Sequence, residues 1–153
     1  MTNPDIRPAR VEDIAALEEV VAAADLFPPE LVADMLRAAL AAGHVWLVAH
    51  AEDVLTGFCH ARPEEMTEGT WNMRALAVLP DQQGRGTGRA LVAKLERLLV
   101  RRCQRLLIVD TSDASAFADA RAFYRATGYA QVATVPDYWA DGDAKVTFAK
   151  SLG

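Results

Sequence analysis

The sequence predicts a mixed α/β fold. Segments of helical period alternate with short apolar runs of strand length, and glycines or prolines punctuate the boundaries. A glycine-rich stretch, GRGTG at 84–88, stands between a strand pattern and a helix pattern. The 153 residues suit a single domain spanning 1–153 with one sizeable core. Apolar residues make up 52% of the chain, which excludes a disordered one.

Ile6-Arg7 form a short first strand. Val11 to Ala24 places Ile14, Leu17, Val20, Val21 and Ala24 at helical spacing, and Phe27-Pro28-Pro29 breaks that helix. Glu30 to Ala42 is a second helix, stopped by Gly43. His44 to Ala51 and Val54 to Arg62 read as a hairpin around Glu52-Asp53. Trp71 to Val78 is a further long strand, ended by Pro80. Thr87 to Arg102 carries a stripe of Leu91, Leu95, Leu98 and Leu99, a helix with one apolar face. Leu106 to Val109 is a continuous apolar run, the pattern of a central buried strand. Ala116 to Thr127 is helical and closes at Gly128. Tyr129 to Val135 and Lys145 to Ala149 form a last strand pair, with Pro136 to Asp143 as the loop between them. The order is β-α-α-β-β-β-α-β-α-β-β.

No run of about 18 uncharged apolar residues is present, so no membrane span is expected. MTNPDIRPAR has no apolar secretory core, and a cytoplasmic location is expected. Cys59 and Cys103 stand alone in apolar contexts and read as reduced core thiols. His44, His50 and His60 lack metal-ligand spacing, so no metal is expected, and His60 reads as structural. Between Arg85 and Arg105 stand seven Arg/Lys and one acid, Glu96, so this stretch is +6; with −5 for the whole chain, the remainder carries −11. An acidic body does not favour nucleic acid as partner.

Two phosphate-binding motifs fail on their letters. A P-loop needs lysine after its glycine, and no glycine here precedes lysine. A dinucleotide fingerprint counted from Gly84 needs a third glycine where Arg89 stands. What remains is Q-x-x-G-x-G, with Gln83, Gly86 and Gly88, opening a helix. Helix N-termini present unpaired N–H groups, and glycines let phosphate oxygens approach them. By itself the stretch also fits a tight strand-to-helix turn.

Residues 76–89, LAVLPDQQGRGTGR, resemble the acetyl-CoA motif of the GNAT acetyltransferase superfamily, and residues 120–129, ARAFYRATGY, resemble its second motif. The N-terminal IRPARVEDIAAL is similar to the family's first strand and helix, so the likeness covers nearly the whole chain. The resemblance implies a splayed, mixed sheet of about seven strands flanked by about four helices, with acetyl-CoA between two neighbouring strands. By matching positions, the backbone of Gly84, Arg85, Gly86, Thr87, Gly88 and Arg89 holds the pyrophosphate. Gln83 belongs to the same motif, and Leu76, Ala77 and Val78 pair with the pantetheine amides. Arg85 and Arg89 lie next to the phosphates of a polyanionic cofactor.

Acyl transfer to an amine needs a neutral nucleophile, a donor for the oxyanion and a proton for the leaving thiolate. An alkyl amine with a pKa near 10.4 is neutral to roughly one part in 2500 at pH 7, a cost of about 4.6 kcal/mol. The resemblance makes Tyr124 the thiolate's acid. It also places the family's frequent glutamate base at Asn72, which takes no proton, and puts Phe117 where many members have a cofactor-contacting asparagine. The amine's proton then leaves through water or to an acid elsewhere, the candidates being Asp137, Asp141 and Asp143 in the last loop, Glu64 and Glu65 before a strand, and Asp110 at the end of one. Asp141-Gly142-Asp143 also reads as plain turn chemistry. Phe27 and Trp139 lie in regions that flank the family's acceptor channel.

The expected activity is direct acetyl transfer from acetyl-CoA to a primary amine of a small molecule or peptide, in a chain that forms homodimers in many relatives. A rival of another class is an acyl-CoA-binding sensor without turnover. Asn72 favours the rival; Phe123-Tyr124 favours the enzyme.

Overall fold

The computed structural model describes residues 4–153. Along the chain run β1 (Asp5–Pro8), α1 (Ile14–Ala23), α2 (Val32–Ala42), β2 (Val45–Ala51), β3 (Val54–Pro63), β4 (Thr70–Val78), α3 (Thr87–Arg101), β5 (Leu106–Ser112), α4 (Ala118–Ala126), β6 (Ala130–Ala140) and β7 (Asp143–Ser151). The seven strands form an open sheet in the order β1-β2-β3-β4-β5-β7-β6. β4 and β5 are parallel, pairing Thr70–Asn72 with Leu106–Ile108. β1–β2, β2–β3, β5–β7 and β6–β7 are antiparallel, so the sheet is mixed as expected.

Two compact units divide the chain. The first holds the residues up to Arg62 together with Arg74–Leu98; the second holds Pro63–Met73 and Leu99–Gly153. In the first, the helical spacing read from the sequence buries Leu17, Val20 and Val21 of α1 and Val32, Leu36 and Ala39 of α2. They pack in one cluster with Trp46 and Val48 of β2, Phe58 of β3, and Ala75 and Ala77 of β4. Burying such side chains contributes about 1.5–3 kcal/mol for each large one. Gly43 ends α2 in the left-handed region at φ 75°. Arg7 clamps Asp13 through two bonds of 2.7 and 2.8 Å, which holds the Asp13 carboxyl below the usual carboxylate range.

In the second unit β5 and β7 pair along their full length, from Leu106–Ser151 to Ser112–Lys145. This carries β5 three residues beyond the apolar run that marks it in the sequence. α1, α2 and α4 are each preceded by a 3-10 turn, so the helix starts read from the sequence fall on those turns.

Two expectations are corrected. Pro136 to Ala140 are not loop: β6 continues to Ala140, and the turn shrinks to Asp141-Gly142, with Gly142 at φ 78° and its N–H bound to Asp137 Oδ1 at 2.7 Å. Proline reads as a strand breaker, but the β6–β7 register is irregular between Val135 and Ala140, where Pro136 is tolerated. Cys103 is not core. It is exposed at φ 60° in the turn that ends α3, its N–H bound to Val100 O at 2.9 Å. Cys59 is buried, and burial pushes its thiol up to about 12.

Candidate functional site

The glycine-rich stretch lies in the first unit. Leaving β4, Leu79 donates its N–H to Thr56 O at 2.8 Å, and a 3-10 turn follows at Pro80–Gln82. Gln83 Nε2 reaches back to Val78 O at 3.2 Å, tying the loop to the strand it has left. Gly84 and Gly86 take φ of 79° and 83°, left-handed backbone that favours glycine. Among the described residues a Cβ built on either meets nothing within 4 Å, so the space beside them is open. α3 opens at buried Thr87, with Gly88 in its first turn and its first bond from Ala90 N to Gly86 O at 2.9 Å. The N–H groups ahead of that bond and the helix dipole suit an anion. Arg85 and Arg89 are exposed beside them. On β4, Ala77 is buried, and Leu76 and Val78 are half-buried.

Phe27, also in the first unit, is half-buried and packs on the core cluster of α1 and α2. His60 of β3 is 7% exposed, stacked 4.7 Å from Trp46, and neither ring nitrogen has a hydrogen-bond partner among the described residues. Burial, with His44, Arg62 and Arg74 adding to it, lowers its pKa to about 4.

In the second unit three of the sequence candidates converge on consecutive residues of β5. Asn72, 4% exposed, donates from Nδ2 to Asp110 Oδ2 at 3.4 Å and to Glu64 Oε1 at 2.9 Å. Trp139 Nε1 donates to Thr111 O at 3.3 Å, its ring meeting Tyr138 edge-on. Ser112 Oγ donates to Asp143 Oδ1 and accepts from Ala114 N at 2.9 Å. Asp141 lies exposed in the turn.

Tyr124 belongs to this unit as well. Arg121 ties α4 to the end of β5 by donating from Nη1 to Ser112 O at 2.7 Å and Ala114 O at 2.8 Å. One turn on, Tyr124 is 7% exposed and packs on Phe148 and Tyr129 at 5.7 and 6.1 Å. Phe148 pairs with Val109, whereas Thr147 pairs with Asp110. Neighbouring strand residues point to opposite faces, so Tyr124 packs on the face away from Asp110 and Asn72. Thr147 Oγ1 donates to Asp110 Oδ1 at 2.5 Å. Thr147, Ser112 and Arg121 escape a reading of the sequence, since only the β5–β7 register and the seat of α4 give them partners. Among the described residues no group of three or more His, Cys, Asp or Glu could hold a metal ion.

Residues 41–131 match the GNAT acetyltransferase domain family. A protein of Desulfovibrio desulfuricans described as a GNAT-family acetyltransferase is similar at TM-score 0.92 and 25% identity, over 99% of this chain and 100% of that one. A Salmonella typhimurium protein described as an acetyltransferase, solved with its cofactor acetyl-CoA, is similar at 0.83 and 20%, over 99% and 95%. The ribosomal-protein-alanine N-acetyltransferase of Brucella melitensis is similar at 0.82 and 22%, over 96% and 99%.

Proposed function

The chain belongs to the GNAT acetyltransferases, and from that premise we propose that it transfers the acetyl group of acetyl-CoA directly to a primary amine within one ternary complex. One observation carries the cofactor assignment: Gly84 and Gly86 hold left-handed backbone at the mouth of α3 with open space where side chains would stand. The residues present therefore fit a diphosphate. Backbone groups of Gly84 to Arg89 would hold it, with Gln83 fixing the loop, and the Leu76 to Val78 edge of β4 would pair with the pantetheine amides. Bound there, the cofactor supplies an acetyl group activated as a thioester.

The chain's own residues supply the rest. Tyr124 gives its phenolic proton to the leaving thiolate. Phe27, Asn72, Trp139, Asp141 and Asp143 serve the acceptor side. The −11 outside the basic stretch draws a cationic acceptor, a small-molecule amine or a basic peptide end. We assign 1–153 to one acetyltransferase domain acting in the cytoplasm, without nucleic acid, membrane or metal. No helix among the described residues is long and apolar enough to cross a membrane. β6, at the sheet edge and exposed along its length, is the surface on which a homodimer would form.

Acetyl-CoA at 100 times its dissociation constant should stabilise the fold by about 2.7 kcal/mol. An unchanged melting temperature at millimolar acetyl-CoA overturns the assignment. Thiol release across an amine library then separates an enzyme from the rival, a sensor that binds acyl-CoA and turns nothing over.

A further inference from the structure

Resting on the transferase reading, we infer that Glu64 is the base that takes the acceptor amine's proton, and that Asn72 and Asp110 position it. Asn72 has two amide N–H bonds, and each goes to a different carboxylate, Glu64 Oε1 at 2.9 Å and Asp110 Oδ2 at 3.4 Å. The amide has one workable orientation, because the reverse one would set its oxygen against two carboxylate oxygens. So the residue that cannot act as a base holds two that can.

The two carboxylates are not equivalent. Asp110 is held at both oxygens, Oδ2 by Asn72 and Oδ1 by Thr147 at 2.5 Å, and the β5–β7 ladder fixes its backbone opposite Thr147. It is the anchor. Glu64 lies just beyond β3, half-buried, its backbone set by its N–H bond to Thr70 O at 2.8 Å. Asn72 engages Oε1 and leaves Oε2 to other partners.

Position points the same way. The parallel β4–β5 ladder has its last pair at Asn72–Ile108, and Asp110 lies two residues further along β5 on the same face. Tyr124 packs on the opposite face, against Phe148. In the step itself one N–H bond of the ammonium breaks, its electron pair stays on nitrogen, and the proton joins a Glu64 oxygen. Glu64 later passes that proton to water and is a carboxylate again.

The test uses the full chain, acetyl-CoA and an amine panel of spermidine, an aminoglycoside and an alanyl-terminated peptide, read by thiol release. With an accepted amine, Glu64→Gln should lower kcat/KM about 10²–10⁴-fold at pH 7. Its melting temperature and acetyl-CoA affinity should not change. Its rate should climb tenfold per pH unit as free amine accumulates, closing on the wild type at high pH. A hydrazide analogue of that amine, already neutral at pH 7, should be acetylated by wild type and variant within about threefold. Asn72→Ala should lower kcat with little change in either KM and should share the steeper pH profile. A Glu64→Gln variant with wild-type rates and pH profile, or one equally slow on the hydrazide, overturns the inference and leaves the transferase reading standing. A wild type that releases no thiol with any amine of the panel overturns both.

Discussion

The loop at Gly84–Gly86 and the end of β5 offer opposite kinds of chemistry. The loop presents backbone: two left-handed glycines, open space around them and the first turn of α3. The end of β5 presents side chains that other side chains already hold, Asp110 by Asn72 and Thr147 and Ser112 by Asp143, with Trp139 on the Thr111 carbonyl between them. A backbone site recognises charge and shape and tolerates any residue that stays out of the way. A side-chain site depends on atoms delivered by neighbouring strands of the sheet. The difference shows which part of a transferase can be built locally and which needs the whole sheet.

The two regions should respond separately, and the largest effect lies on the α4 side of β5. Tyr124→Phe should cut kcat about 10²–10⁴-fold while acetyl-CoA affinity, read by calorimetry, stays near wild type. A full kcat would make Tyr124 a core residue and nothing more.

A buried group outside both regions provides the control. Folded His60 stays neutral down to about 4, whereas the unfolded ring protonates near 6.5. The unfolded state binds the extra proton between those values, so stability falls as pH drops through that window, by up to about 3 kcal/mol. Melting between pH 7 and 4 checks this, and His60→Gln should flatten the slope. If the slope persists in that variant, His60 is not its source.

On the loop side, Gly86→Val should weaken acetyl-CoA binding about 100-fold, some 2.7 kcal/mol. The left-handed backbone adds a stability cost of about 1–3 kcal/mol, which melting reads on its own. Normal binding by this variant would reduce the glycines to turn residues. The smallest effect belongs to the latch at the end of β5. Ser112→Ala loses the bonds to Asp143 and Ala114, and chemical denaturation should show a loss of about 1 kcal/mol with acetyl-CoA affinity unchanged.

The same contrast explains what the sequence makes legible. Gly84 and Gly86 announce themselves, because a left-handed turn before an amphipathic helix demands that residue type at those positions. The helices of the first unit follow from spacing alone, as Leu17, Val20 and Val21 bury where their period puts them. Thr147 carries no such mark. Its role depends on pairing with Asp110 and on pointing away from Phe148, and a one-residue slip would reverse both. The sequence pattern puts Trp139 in a loop for a related reason: Pro136 looks like an end of strand, and only an irregular edge ladder lets β6 run past it. Asn72 stands out in the sequence as a missing base, but its hold on Glu64 depends on the turn that brings Glu64 back to Thr70.

The unequal settings of the two cysteines have a practical consequence. Thiol-directed dyes react through the thiolate. Cys59 is fully buried, with its thiol pushed up to about 12, while Cys103 stands exposed at the turn between α3 and β5. A maleimide fluorophore should therefore attach to unmodified protein at one place. α3 opens on the glycine loop and ends beside that place, so a single label becomes an optical reporter on the helix that leads from the loop, with no engineered residue.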